Sequence, residues 1–141
     1  MAQRLMADNV RNQAPLELPP ETSVQDACRQ MRERRVGAVL VADKGRRLLG
    51  IFTGRDAVGR VLAEGRDPAS TTLADVMTTK PDTLSPDKTV MDALLLMQDG
   101  GFRHVPIVDK GKIVGIVSRS DVRGLEQARL EDETYLAERI W

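Results

Sequence analysis

The feature that most limits what this chain can fold into is that it is written twice. Displacing the sequence by 66 positions pairs Pro15 with Pro81, Leu18 with Leu84 and Pro20 with Pro86. The same shift pairs Val24 with Val90, Asp26-Ala27 with Asp92-Ala93, Met31 with Met97 and Val39 with Val105. It carries on to Asp43-Lys44-Gly45 against Asp109-Lys110-Gly111, then becomes 65 and brings Gly50-Ile51 onto Gly115-Ile116 and Asp56 onto Asp121. Arg46-Arg47 of the first copy face Lys112 alone, so the slip falls in a turn, where an insertion is tolerated. Fixed-period self-similarity marks copies of one structural unit, here about 60 residues long.

Each copy carries the same signature: Gly50-Ile51-Phe52-Thr53-Gly54-Arg55-Asp56 and Gly115-Ile116-Val117-Ser118-Arg119-Ser120-Asp121. The apolar pair suits the end of a buried strand, and the hydroxyl with an aspartate three residues on is a capping box for a following helix. The same arrangement also suits a ligand. A strand running into a helix N-terminus presents free N–H groups and the positive end of a dipole, which favour a phosphate. A carboxylate there can accept hydrogen bonds from a ribose diol, as in dinucleotide sites. Every helix needs a cap, but two copies at matching places favour the ligand role.

The rest of each unit reads alike. A short extended piece, Leu16 to Leu18 or Thr83 to Ser85, is flanked by prolines, and a helix follows. Ser23 with Asp26, and Thr89 with Asp92, are the expected caps. Val24, Ala27, Cys28 and Met31 form one apolar stripe, and Arg32, Arg34 and Arg35 complement the helix dipole at its C-terminal end. A hairpin follows, with Asp43-Lys44-Gly45-Arg46 and Asp109-Lys110-Gly111-Lys112 as the turns. Pro106 cannot donate to a sheet, so its nitrogen belongs at an edge or irregularity. The second helix starts at the signature and in copy one carries Ala57, Val58, Val61 and Leu62.

The expected division is residues 1–64 as the first repeat with an N-terminal segment, a Gly-, Asp- and Pro-containing linker at 65–72, the second repeat at 73–124, and a helical tail at 125–141. Leu73 to Met77 reads as a short connecting helix. The stretch from Val122 to Trp141 reads as helix with a break at Gly124, and it carries a solvated acidic patch Glu131-Asp132-Glu133 and the single tryptophan, Trp141. The helix beginning at Val90 is apolar on more than one side: Val90, Ala93, Leu94 and Met97 share a face, while Met91, Leu95 and Leu96 lie elsewhere. A stripe this wide implies a second cover, either the sister repeat or a second subunit, and a homodimer is expected.

Composition narrows the classes. Lys plus Arg and Asp plus Glu each number 21, a balance that argues against a dedicated nucleic-acid binder and against electrostatic attraction to a membrane. Cys28 is the only cysteine, so no internal disulfide forms, which fits a reducing cytoplasm. No apolar run approaches the ~18 residues of a membrane span, and Met1 to Ala7 has no apolar core long enough for a signal peptide. The expectation is a soluble, cytoplasmic protein.

The order of extended piece, helix, two strands, Gly-Ile-hydrophobic-Ser/Thr-x-x-Asp and helix, given twice, resembles a pair of cystathionine β-synthase (CBS) domains, or Bateman module. The resemblance covers about residues 12 to 124. Gly101-Phe102-Arg103-His104-Val105-Pro106-Ile107-Val108-Asp109 is similar to second repeats. Val36-Gly37-Ala38-Val39-Leu40-Val41 and Gly54-Arg55-Asp56 are similar to first repeats of stand-alone bacterial pairs. The resemblance implies an α+β fold of two pseudo-twofold-related repeats, each a small sheet packed with helices. It also implies adenine nucleotides or related adenosyl ligands in clefts between the repeats. Asp56 and Asp121 would take the ribose hydroxyls, Thr53 and Ser118 would lie near phosphate, and Arg103 and His104 would reach phosphate. Residues near Leu16 to Leu18 and Thr83 to Leu84 would frame the adenine. Gly37-Ala38 stands where the other copy has Arg103-His104, so one cleft must find its positive charge elsewhere, with Arg55 and Arg119 as candidates, and the two affinities should differ.

An enzyme is not expected. One His and one Cys allow no Cys/His metal cluster, and no Gly-x-Ser-x-Gly elbow, Walker loop or Gly-x-Gly-x-x-Gly is present. The leading expectation is a regulatory module that senses AMP, ADP, ATP or NAD(H) and passes its signal to a separate effector protein. The rival is a dimerisation or interaction scaffold whose signatures are helix caps and nothing more.

Overall fold

The computed structural model describes residues 14–121. The readings made for Met1 to Ala7 and for the tail from Val122 to Trp141 lie outside these residues. In chain order the elements are β1 (Glu17–Leu18), α1 (Val24–Arg34), β2 (Ala38–Ala42), β3 (Leu48–Thr53), α2 (Gly54–Asp56) running into a π-helical segment (Ala57–Leu62), α3 (Leu73–Val76), β4 (Thr78–Thr79), α4 (Val90–Gly100), β5 (His104–Asp109) and β6 (Lys112–Ser118). The four-stranded sheet has the order β1-β2-β3-β4, and β5 pairs with β6. β1 runs parallel to β2, and the other pairs are antiparallel.

The layering follows from strand alternation. Side chains on successive strand residues point to opposite faces, and all five residues of β2 are buried. Val39 and Val41 join Phe52, α1 and Val61 in one core, whereas Ala38, Leu40 and Ala42 join Ile51 and Ile113 of the other half. Each half therefore has helices on one face of its sheet and the sister half on the other. The second half repeats the plan: Val105, Ile107 and Val117 pack against Ala93, Leu94 and Met97 of α4. The result is an α+β pair of pseudo-twofold-related repeats.

Local chemistry sets the element ends. Ser23 Oγ accepts the Asp26 N–H at 3.1 Å to start α1. Thr89 and Asp92 form the full reciprocal box on α4, with bonds of 2.8 and 3.2 Å. α1 ends at Arg35 in the left-handed region (φ 55), and α4 ends at Gly101 (φ 70). A left-handed cap is easier for glycine than for arginine, because the arginine Cβ crowds the backbone. The two hairpin turns differ as the one-residue slip requires. Lys110 and Gly111 both have positive φ (52 and 83) and close a two-residue turn. In the longer first turn Asp43 Oδ1 accepts the N–H groups of Gly45 and Arg47, each at 2.9 Å, and the left-handed position falls on Arg46 (φ 62), not on Gly45. The two tips meet: the Ile113 N–H donates to the Arg46 carbonyl at 3.1 Å.

Pro106 is paired opposite Ile116 and is fully buried. Its carbonyl accepts the Leu84 N–H at 3.1 Å, and the N–H and C=O of one strand residue point the same way. Its missing donor therefore faces the short piece around Leu84, which bridges to β5 only at Ile107 among the described residues. Leu73 to Val76 is helical, with Met77 as its C-cap, but it serves the first half. Leu73 and Val76 lie in the first core, and β4 pairs with β3. Gly50 permits this: a Cβ there would come within 2.7 Å of the Thr78 carbonyl and of Met77 Sδ.

The two expected apolar helices bury less than their composition suggested. Val61 is buried, but Val58 and Leu62 are 61% and 67% exposed. Ala93, Leu94 and Met97 of α4 are buried, while Met91 and Leu95 are 39% and 50% exposed. The described part of the sister repeat therefore leaves these faces uncovered. Among the described residues no helix is long and apolar enough to cross a membrane.

Candidate functional site: two clefts between the repeats

Both signatures fold as strand, cap and helix start. At the end of β3, Asp56 Oδ2 accepts the Thr53 N–H at 2.9 Å and the Thr53 hydroxyl at 3.2 Å, and Thr53 Oγ1 accepts the Asp56 N–H at 3.4 Å. At the end of β6, Asp121 Oδ2 accepts the Ser118 N–H at 3.0 Å, and Ser118 Oγ accepts the Asp121 N–H at 3.2 Å. The capping box is therefore real in both copies, and it engages one oxygen of each carboxylate. The other oxygens differ. Asp56 Oδ1 faces Arg60 Nε at 3.5 Å. Asp121 Oδ1 makes no hydrogen bond or ion pair with any other described residue.

Each signature opens onto a cleft. The first, of about 610 Å³, is lined by Thr53, Gly54, Arg55 and Asp56 together with Ile51, Gly37, Thr78, Lys80, Pro81, Asp82, Phe102, Arg103 and His104. The second, of about 530 Å³, is lined by Ser118, Arg119, Ser120 and Asp121 with Ile116, Ala14, Pro15, Leu16, Arg35, Val36, Gly37, Ala38, Leu40, Arg103 and His104. Both volumes lie within the roughly 300–1,000 Å³ usual for small-molecule sites. Of the expected site residues, Thr53, Arg55 and Asp56 meet in the first cleft, Ser118, Arg119 and Asp121 meet in the second, and Arg103 and His104 line both. Thr83 lines neither. The neighbouring Lys80, Pro81 and Asp82 line the first cleft instead, because Leu84 is drawn into its bridge with Ile107.

The cations are held in different ways. Arg55 donates to the Gly101 carbonyl at 3.3 Å, across the boundary between the halves and at the C-cap of α4. Arg119 donates its backbone N–H to the Arg103 carbonyl at 2.7 Å. The Arg103 guanidinium makes no hydrogen bond or ion pair with a described residue. Burial holds the His104 imidazole below its ordinary pKa of 6.5; nearby Arg103 pushes the same way, and Asp121 opposes. The neutral ring favoured by burial still offers one N–H donor and one acceptor.

Three residues were missed by sequence reasoning. Lys80 has a left-handed backbone (φ 50) between β4 and Pro81 and lines the first cleft. Arg35 caps α1 and lines the second cleft, whereas Arg32 and Arg34 stay in the last helical turn as the dipole argument expects. Arg60 ties Asp56 to the end of α3 by donating to the Val76 and Met77 carbonyls, each at 3.1 Å. Only Arg60 carried a legible signal, the i,i+4 spacing from Asp56. Among the described residues no group of three or more His, Cys, Asp or Glu could hold a metal ion.

Comparison with known proteins identifies this architecture. The CBS domain family model matches twice, at residues 6–63 and 73–127. The Arabidopsis thaliana CBS domain-containing protein CBSCBSPB3 is 41% identical over 102 residues, 72% of this chain but 18% of that protein, so the chain spans under a fifth of that relative's length. The CBS domain pair of protein MJ0100, solved in complex with 5′-methylthioadenosine and S-adenosyl-L-methionine, superposes with a TM-score of 0.81 at 23% identity, covering 91% of this chain and 99% of that one. A CBS domain protein from Pyrobaculum aerophilum complexed with AMP gives 0.75 at 22%, covering 83% and 88%. At those identities the two structures establish the shared fold. The chain belongs to the CBS-domain family and carries the domain as a tandem pair.

Proposed function

We propose that this chain is a regulatory module that binds an adenine nucleotide, AMP, ADP, ATP or NAD(H), in the clefts between its two CBS repeats. The observation that carries the reading is the duplicated placement of hydroxyl and carboxylate: Thr53 with Asp56 on one cleft, Ser118 with Asp121 on the other. In the first cleft Arg55, Lys80 and Arg103 supply cations for phosphate, and in the second Arg35, Arg103 and Arg119 do so. Asp121, with one oxygen outside its cap, is the better placed acceptor for a ribose diol. The MJ0100 pair and the Pyrobaculum protein carry adenosyl ligands on the same fold, which supports this ligand class. The role is binding without catalysis, with output through a separate effector protein, and the ligand acts by its differential affinity for two poses of the repeats or subunits. The protein works in the cytoplasm.

The chain also forms a homodimer in this reading, through the exposed apolar residues Val58 and Leu62 and through Met91 and Leu95 of α4. Sedimentation analysis of Leu62→Glu and Leu95→Glu tests that part: at least one should shift the protein towards monomer, and two unchanged profiles would remove it.

A scaffold without ligand is the second reading, and it draws on the capping bonds, which use one oxygen of each aspartate for structure. Calorimetric titration separates the two. The ligand reading expects saturable binding of at least one adenine nucleotide, strongly weakened in Asp121→Ala. The scaffold reading expects no heat of binding, and a loss of about 0.5–2 kcal/mol of cap stability as the sole effect of the substitution.

A further inference from the structure

The two clefts are not independent, because they share a wall. Gly37, Arg103 and His104 line both. A Cβ built at Gly37 would lie 3.4 Å from Cε1 and Nε2 of His104, so the imidazole rests against the glycine backbone. Beside it stands Arg103. Its backbone is held by the Arg119 N–H at 2.7 Å, at the helix start that belongs to the second cleft. Its guanidinium is exposed and uncommitted among the described residues, in contrast to Arg55, which already holds the Gly101 carbonyl.

One long cation, with no partner among the described residues and at the border of two anion sites, can serve either but not both at once. We propose that Arg103 is a phosphate partner common to both clefts, so that the first anionic nucleotide to bind captures it and weakens binding at the other. The inference rests on the ligand reading above and adds to it a coupling between the sites and the residue that transmits it. Coupling is reciprocal: whichever cleft fills first, the penalty on the other is the same. The duplicated sequence hides this, since the position matching Arg103 is Gly37 and the second cation is simply absent.

The test is a two-step AMP titration of the whole chain. Asp56→Ala and Asp121→Ala each leave one cleft and give its intrinsic affinity. The inference expects the second step in the unsubstituted protein to be about fivefold or more weaker than the same cleft measured alone. Arg103→Gln should weaken both clefts and bring that ratio close to one. Uncharged adenosine should show no penalty, which keeps the test available if an Asp→Ala variant fails to fold. His104 is the only histidine, so its imidazole NMR signals report on the shared wall and should move in both steps. Two AMP steps that match the isolated clefts, or a penalty that survives Arg103→Gln, would overturn the coupling while leaving the ligand reading intact. A flat titration with AMP, ATP and NAD would instead remove the ligand reading and the coupling with it.

Discussion

The two halves carry the same signature and use it differently. In the first half the aspartate is bound on both sides: Oδ2 closes the cap and Oδ1 faces Arg60, which also holds the carbonyl end of α3. In the second half the counterpart of Arg60, at the shift of 65, is Leu125, which has no charge to offer Asp121. The carboxylate of the first copy is thus built into the scaffold, and that of the second keeps one oxygen without a partner among the described residues. Duplication preserves the cap, which depends on two residues three positions apart. It does not preserve the partners, which come from elsewhere in the chain. Equal motifs therefore do not imply equal sites.

The comparison can be strained most severely in the cores. Phe52 and Val117 occupy the same signature position and are both buried, each in the core of its own half. Phe52→Ala should cost about 3–5 kcal/mol and Val117→Ala roughly 1–2 kcal/mol by denaturant unfolding. Equal costs would show that the larger Phe52 side chain is not packed as fully as its burial indicates. Next comes Gly50→Val, which drives a side chain into the Thr78 carbonyl and should cost about 1–3 kcal/mol, whereas Gly54→Ala, with open space at its Cβ, should be near neutral.

The aspartates give a smaller effect that bears directly on the difference between the halves. Asp56→Ala and Asp121→Ala each lose a cap of about 0.5–2 kcal/mol, and Asp56→Ala should lose more because Arg60 loses its partner as well. In adenine-nucleotide binding the order should reverse, with Asp121→Ala the more harmful. Smallest is a pH effect. The His104 pKa is depressed in the folded state, so the unfolded chain binds the proton more readily. Stability should be full above pH 6.5, the ordinary value, and decline as pH falls below it towards the folded value. His104→Gln should flatten that slope in a melting-temperature series between pH 5 and 8.

What the sequence made legible was what neighbours in the chain decide. The caps at Ser23, Thr53, Thr89 and Ser118 and the hairpins rest on residues a few positions apart, and the repeat is visible by aligning the chain with itself. The lining of the two clefts was legible where it coincided with a cap, at Thr53, Asp56, Ser118 and Asp121. Lys80 and Arg35 were not, since they reach the clefts through left-handed backbone positions at the ends of β4 and α1, and nothing in their side chains announces that conformation. Nor was the attachment of 73–79 to the first sheet, which depends on the missing side chain of Gly50 rather than on any motif within the segment. The π-helical stretch at Ala57–Leu62, with the Ala63 N–H donating to the Val58 carbonyl at 2.9 Å, likewise left no periodic mark.

The most direct measurement is a thermal-shift screen of the unsubstituted chain and the Asp56→Ala, Asp121→Ala double variant against AMP, ADP, ATP, NAD, NADH and S-adenosylmethionine. The account predicts that at least one ligand raises the melting temperature of the first protein, corresponding to about 2.7 kcal/mol when present at 100 times its Kd, and leaves the double variant unmoved. Millimolar ligands that shift neither protein, or both alike, would contradict it.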